Sequence, residues 1–279
     1  TQPPLHVGRT PLPTVAAAPT PVVSPPAPPI VPTPVVTLPP APGGPLPGPL
    51  PRDIGYDGGT WAVLFSPGAR GNQMNGQYII DKLIGYIDAA QSTIDLAVFE
   101  TNLTPVAEAL IRAHQRGVAV RWITDDENGR DADAEEGRGQ FALMEAAGIE
   151  IRDDLRSAFM HNKFILIDDH LLWTGSMNLT SNDVFRNNNN VVVLDSPAAV
   201  AVYAREFEEM WNGQFGPGSP SNVNGQTVQT AAGLPITIRF APEDEPFDSL
   251  IQLAALANES IRFMAFSFTQ DELGEVMRQ

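Results

Sequence analysis

Proline is crowded at one end of the chain: 19 of its 27 prolines lie among the first 51 residues, where the sole charged side chain is Arg9. Proline fixes φ, restricts the residue before it and offers no backbone N–H. Runs such as Pro25-Pro26-Ala27-Pro28-Pro29 and Pro32-Thr33-Pro34-Val35-Val36 therefore favour polyproline II over any packed element. Residues 1–52 are expected to form a disordered, semi-rigid Pro-rich linker. A core can come only from the rest of the 279 residues, enough for one large domain or two small ones. A Pro/Thr/Val/Ala tether of this kind suits an extracellular or cell-envelope protein. The sequence starts at Thr1 without a methionine, a basic stretch or an apolar signal segment, which implies processing or a longer parent chain.

There is no cysteine, which excludes a disulfide framework, a thiolate metal site and a thiol nucleophile. The net charge of the chain is −16, and −17 beyond the first 51 residues, which hold only the charge of Arg9. Such a domain lacks the broad positive field of sequence-independent nucleic-acid binding, although a local cationic pocket stays compatible with it. No apolar run approaches the roughly 18 to 20 residues that span a bilayer.

From Arg52 onward, strand-like and helix-like segments alternate. Trp61 to Phe65 reads as a strand, and Ile79, Ile80, Leu83, Ile84 and Ile87 recur at helical spacing. Thr93 to Phe99 reads as a buried strand, Thr104-Pro105 as the cap and first turn of a helix running to Gly117, and Val118 to Thr124 as the next strand. Asp125 to Gly139 is acidic and aperiodic and reads as a solvated loop. Its Asp125, Asp126, Asp131 and Asp133 fit no calcium-loop spacing, so no metal or cofactor is assigned. A short helix follows over Phe141 to Ala147. Phe164 to Ile167 and Leu171 to Trp173 then form a hairpin about Asp168-Asp169-His170. Asn190 to Leu194 is a strand, and Ser196-Pro197 opens a helix with Val200, Tyr203, Phe207 and Trp211 on one face. The alternation implies an α/β sandwich, a mixed sheet flanked by helices.

An internal echo divides the chain further. Phe65-Ser66-Pro67, a helix and Ile94-Asp95-Leu96-Ala97-Val98-Phe99 return as Phe240-Ala241-Pro242, a helix and Ile261-Arg262-Phe263-Met264-Ala265-Phe266. One full repeat over 53–215, a linker over 216–235 and the opening of a second repeat over 236–279 are therefore expected. The rest of that second copy would lie past Gln279.

The chemistry concentrates in His161-Asn162-Lys163-Phe164-Ile165-Leu166-Ile167-Asp168 and Gly175-Ser176-Met177-Asn178. Residues two apart on a strand share a face, so His161 projects with Lys163 and Ser176 with Asn178. An imidazole, an ammonium, a hydroxyl and a carboxamide suit a phosphodiester: a nucleophile or base titrating near neutrality, with charge and donors for the non-bridging oxygens. Lys82 and Lys163 are the only lysines in the chain, which sets Lys163 apart from routine surface charge. His6, His114 and His170 read as solvent-exposed or structural, and Trp61, Trp122, Trp173 and Trp211 as core.

Six residues in register, His161, Lys163, Asp168, Gly175, Ser176 and Asn178, resemble the HxKxxxxD and GSxN signature of the phospholipase D superfamily. The resemblance covers about 60–212 as one unit and 236–279 as the start of another. It implies two such motifs facing each other across a pseudo-twofold axis, one histidine forming a phosphohistidine and the other serving as acid and base, with no metal required. By the same resemblance Lys163 and Asn178 hold phosphate oxygens and Ser176 assists. Asp168, of opposite strand parity to His161, supports the hairpin. Many members carry a glutamate where this chain has Asn189. An asparagine carbonyl can fix an imidazole tautomer but stabilises an imidazolium less, so a lowered histidine pKa is expected.

Several functions fit that chemistry. Hydrolysis of a phospholipid headgroup, for instance phosphatidylcholine to phosphatidate and choline at a membrane surface, is the leading expectation. A metal-independent nuclease, a phosphatidyl transferase or synthase, and an inactive half-site module are the alternatives. The sequence holds a single HxKxxxxD. Activity is therefore expected to need a second half, in cis near position ~330 by the repeat spacing or in trans from a dimer.

Overall fold

The computed structural model describes residues 54–219, 223–230, 233 and 235–278; the expected linker 1–52, with His6, lies outside the described residues. In chain order the first elements are β1 (Gly55–Asp57), β2 (Trp61–Phe65), α1 (Gln73–Ala89), β3 (Thr93–Val98), α2 (Thr104–Gln115) and β4 (Ala119–Thr124). They continue with α3 (Gln140–Ala146), β5 (Glu150–Asp153), β6 (Lys163–Ile167), β7 (Leu171–Gly175), α4 (Ser181–Phe185), β8 (Asn190–Asp195) and α5 (Pro197–Trp211). Among the described residues β1 to β8 form one mixed sheet in the order β1-β2-β8-β7-β6-β3-β4-β5. Only the β3–β4 and β4–β5 pairs are parallel. The sandwich expected from the alternation of segments is the architecture observed.

Strand alternation builds two cores from one sheet. Ile165 and Ile167 face a layer made with α1, α2 and α3, where Ile79, Leu83, Leu110, Trp122 and Phe141 are buried. Phe164 and Leu166 face the other way, onto Phe207, Met210 and Trp211 of α5. All four tryptophans lie in or against these cores, Trp61 partly buried. Among the described residues no helix is long and apolar enough to cross a membrane.

Three expectations shift in detail. Leu103, not Thr104, is the N-cap of α2. Thr104 already lies in the first turn, beside Pro105, and its hydroxyl accepts from Gln140 Nε2 at 3.1 Å. The stretch 125–139, read as a solvated loop, holds a π-helical turn over Asp126–Arg130 and a 3-10 turn over Asp131–Ala134. Two of its acidic side chains, Asp125 and Asp133, are engaged internally. Asp125 is 1 % exposed and caps the first turn through Asn128 N. Asp133 accepts from the backbone N–H groups of Gly139, Phe141 and Ala142, where α3 begins.

In the expected linker 216–235, β9 (Thr227–Gln229) pairs with β10 (Pro235–Thr237), which runs past its end, and Val223 and Val228 are buried against the α5 side. Helices α6 (Pro246–Ala255) and α7 (Asp271–Met277) lie against each other. Ile261–Phe266, expected to echo β3, is not a strand, and Phe263, Met264 and Phe266 are exposed. A strand exists only through a neighbour's hydrogen bonds, and among the described residues none pairs with this segment.

Candidate active site

The site forms where β3 ends, β6 starts, β7 ends and β8 starts. Register fixes this: Val98 pairs with Lys163, and Gly175 pairs with Val191. His161 stands two residues before β6, its neighbour Asn162 held there by Phe99 N donating to Asn162 O at 3.1 Å. Both His161 and Lys163 sit on Phe99. The imidazole meets the phenyl ring edge-on with centroids 4.8 Å apart, and the ammonium lies 5.2 Å from the same centroid. Their common face, expected from strand parity, is thus defined by one aromatic floor.

The two lysines have opposite roles. Lys82 is buried in an ion pair with Asp57 at 2.8 Å. Lys163 makes no ion pair among the described residues and donates instead to His161 O at 2.8 Å. Burial pushes the Lys163 ammonium down to about 8, against Asp183, Glu100 and Asp125, which favour the charge. Burial likewise lowers His161, and the Lys163 charge lowers it further; Asp125 and Asp183 oppose this. Near neutrality the pair is therefore a free imidazole beside a charged ammonium, one a nucleophile and the other an anion anchor.

Beyond β7 the chain turns at Gly175, whose φ of 149° and close approach to Asn190 O, 2.3 Å from where a Cβ would stand, require glycine. Ser176 Oγ donates to Asn189 Oδ1 at 2.8 Å and accepts from Asn190 N at 3.1 Å. Asn189 Nδ2 donates to Asp183 Oδ1 at 2.7 Å. Asn189 is thus occupied by Ser176 and Asp183, and no hydrogen bond joins it to the His161 ring among the described residues. The lowered histidine pKa has burial and Lys163 as its causes. The Asn178 side chain is 8 % exposed and its Oδ1 has no hydrogen-bond partner among the described residues. Amide oxygen and nitrogen are interchangeable by rotation, so this carboxamide can offer an N–H to an incoming oxyanion.

Asp168 stands apart. It lies at the far end of β6, about 20 Å from His161 at the rise of a strand. There its carboxylate accepts from Gln91 N (2.7 Å), Ser92 N (2.7 Å), Ser92 Oγ (2.9 Å) and Thr93 N (3.1 Å). Of the other histidines, His114 lies on α2 and His170 pairs with Asp195 at 3.2 Å.

Sequence reasoning passed over three contributors. In the sequence Phe99 reads only as the end of a strand. Asp183, from the short α4, accepts from Thr180 Oγ1, Asn187 Nδ2 and Asn189 Nδ2 and acts electrostatically on both His161 and Lys163. Its one signal was the carboxylate five residues after Asn178. The third is a cavity of about 510 Å³ lined by Phe159, His161, Glu206, Met210 and Glu243. Burial, with the charges of Glu243, Glu209 and Asp244, raises the Glu206 carboxyl to about 8, so it is a neutral donor at neutral pH.

A family profile described as "Cardiolipin synthase, PLD-like domain" matches residues 83–211. The human "Mitochondrial cardiolipin hydrolase" is 33% identical over 167 residues, 57% of this chain and 64% of that protein. The mouse protein of the same name is 35% identical over 138 residues, 50% of this chain and 60% of its own. The chain thus spans less than two thirds of the length of these relatives. Among solved structures, NucT from Helicobacter pylori aligns with a TM-score of 0.47 and 17% identity, over 55% of this chain and 96% of that one.

Proposed function

The chain belongs to the phospholipase D superfamily, and from that premise we propose that it hydrolyses a phospholipid phosphodiester through a phosphohistidine intermediate. The observation that carries the reading is the His161–Lys163 pair on the Phe99 ring, its imidazole neutral and its ammonium charged near pH 7. In the first step a ring nitrogen of His161 attacks phosphorus and the bond to the leaving alcohol breaks. Lys163 and Asn178 meet the non-bridging oxygens, and a second imidazole protonates the leaving oxygen. In the second step water, deprotonated by that second imidazole, displaces His161 and leaves the phosphate monoester. The second imidazole belongs to a matching half, whose opening we read in 236–279, or to a second copy of the chain. An alcohol in place of water would turn the same intermediate to transfer.

A lipid substrate is favoured over nucleic acid by the acidic surface and by the printed names of the curated relatives. The Pro-rich composition of 1–52 supports an extracellular or envelope location, checked by fractionating cells that express the chain. The test of the activity sets cardiolipin vesicles, phosphatidylcholine vesicles and single-stranded DNA side by side in EDTA, with His161→Ala as control. Headgroup release that His161→Ala abolishes is expected. DNA cleavage without release from either lipid would sink the lipid assignment, and lipid turnover surviving His161→Ala would sink the mechanism.

A further inference from the structure

Beside the His161 loop three carboxylates gather, of which only Asp125 bears on the electrostatics of His161 and Lys163. Asp125 follows β4, Asp126 opens the π-helical turn and Asp154 follows β5. One oxygen from each lies within 4.8 Å of the others. Asp125 is 1 % exposed and Asp154 5 %. Like charges gathered so closely away from water repel strongly unless a proton or a cation joins them. No basic side chain does so: among the described residues none pairs with any of the three. Arg130, on the same turn, is directed to Glu145 at 2.8 Å and Asp153 at 3.8 Å.

The existing hydrogen bonds leave one oxygen conspicuously unused. Asp125 accepts from Asn128 N and Nδ2 on one oxygen and from Met160 N on the other. Asp126 accepts from Glu127 N, and Asp154 Oδ1 from Asp126 N at 3.1 Å. Asp154 Oδ2 is buried without any partner. An orphaned carboxylate oxygen in a nine-tenths buried side chain is costly, and the Asp125 and Asp126 carboxylates gathered with it are acceptors. What such an oxygen lacks is a positive centre.

We propose that Asp125, Asp126 and Asp154 bind a calcium ion that clamps the two ends of the 154–160 loop beneath His161. One oxygen from each carboxylate lies within 4.8 Å of the others, near enough for one ion to draw the three together at calcium distances of about 2.4 Å. Three carboxylates in an irregular arrangement suit calcium, which takes six to eight oxygens flexibly. Magnesium keeps most of its waters and uses one or two carboxylates. The ion is structural and takes no part in the displacement at phosphorus. Its leverage on the site comes through Asp125, which holds Met160 N at 3.1 Å, one residue before His161.

The test is calcium titration of the metal-stripped chain by calorimetry, with melting temperature followed in parallel. One ion per chain is expected, with a rise of about 5 to 10 °C at calcium 100 times its dissociation constant. Asp154→Asn keeps an oxygen for Asp126 N and removes one negative charge. It should melt at or above the wild-type temperature in EDTA, yet gain nothing from calcium. Asp126→Asn, at the more exposed corner, serves if that variant does not fold, and should weaken binding at least tenfold. Absence of calcium binding at millimolar concentration, unchanged binding in either variant, or preference for magnesium overturns the proposal.

Discussion

Replacing Asp168 separates support from catalysis. Burial on its own would raise this carboxyl, but the N–H groups of Gln91, Ser92 and Thr93 and the Ser92 hydroxyl outweigh it and hold it below its ordinary value. Bonds to a charged acceptor contribute about 1.5 to 3 kcal/mol each when buried, and here water can replace part of each. For Asp168→Asn, which keeps an oxygen but turns an amide toward backbone donors, a loss of about 2 kcal/mol is expected. Asp168→Ala should cost about 1 kcal/mol more, because φ is 52° and alanine tolerates that region less well than aspartate or asparagine. On a domain of this size these losses correspond to melting temperatures lower by about 4 to 12 °C. The pH dependence has a definite sign. A depressed folded pKa contributes stability above the unfolded value of about 3.9 and loses it as pH falls through the folded pKa. The gap between wild type and Asp168→Asn, measured by scanning calorimetry, should therefore be full at pH 6 and close below about pH 4. Turnover per folded molecule at 25 °C should stay within a factor of about three, since the carboxylate lies about 20 Å from the imidazole. An Asp168→Asn variant with unchanged melting temperature and a hundredfold lower kcat would refute this, placing the carboxylate in the chemistry.

The pH profile of kcat/KM should be a bell: its acid limb below the ordinary histidine pKa, where His161 gains a proton, and its alkaline side shaped by the second imidazole losing the proton it must donate and, near 8, by Lys163 losing one. Lys163→Arg, though slower, should remove the step near 8 and leave the alkaline limb to the second imidazole, because guanidinium does not titrate there. Asp183→Asn should move both limbs to lower pH, as its charge supports the cationic forms of both groups; an unmoved alkaline limb would remove Asp183 from the site's electrostatics. Gly175→Ala should lose about 3 kcal/mol in denaturant titration, and most activity with it, since its Cβ would stand 2.3 Å from Asn190 O beside Ser176.

What the sequence made legible was periodic or local. Strands β2, β3, β4, β6, β7 and β8 and helices α1, α2, α3 and α5 follow from apolar spacing with proline and glycine punctuation. The missed β1 and β5 are three and four residues long and owe their strand character to neighbours, as an edge strand does. Helix α4 is five residues long, too short for any periodicity, and is fixed by the Thr180 cap on Asp183 N. The reverse failure occurred at Ile261–Phe266, where the pattern of a central strand is present and its neighbours are not. In the site, strand parity brought His161 and Lys163 together. The links from Asn189 to Ser176 and Asp183 depend on where β8 passes β7, which spacing does not encode. Asp154 stayed invisible beside Asp125 and Asp126 for a similar reason: parallel pairing of β4 with β5 brings their ends together across 28 residues.

The position of negative charge explains how the chain tolerates asparagine at 189. A carboxylate there would have to lie beside both Ser176 and Asp183, and two carboxylates sharing one hydrogen-bonded neighbourhood raise each other's pKa. Asn189 resolves that conflict, accepting from Ser176 Oγ while donating to Asp183 Oδ1. The charge then sits on Asp183, buried to 7 % exposure and fixed by three side-chain donors, from which it acts on His161 and Lys163 together. Burial and the Lys163 ammonium, opposed by the Asp183 carboxylate, leave the imidazole below its ordinary pKa, the condition for a histidine that must be a free base when it attacks phosphorus. Exchanging the two, Asn189→Asp with Asp183→Asn, should therefore restore much of the activity that Asp183→Asn loses, whereas Asn189→Asp alone should be less stable than wild type.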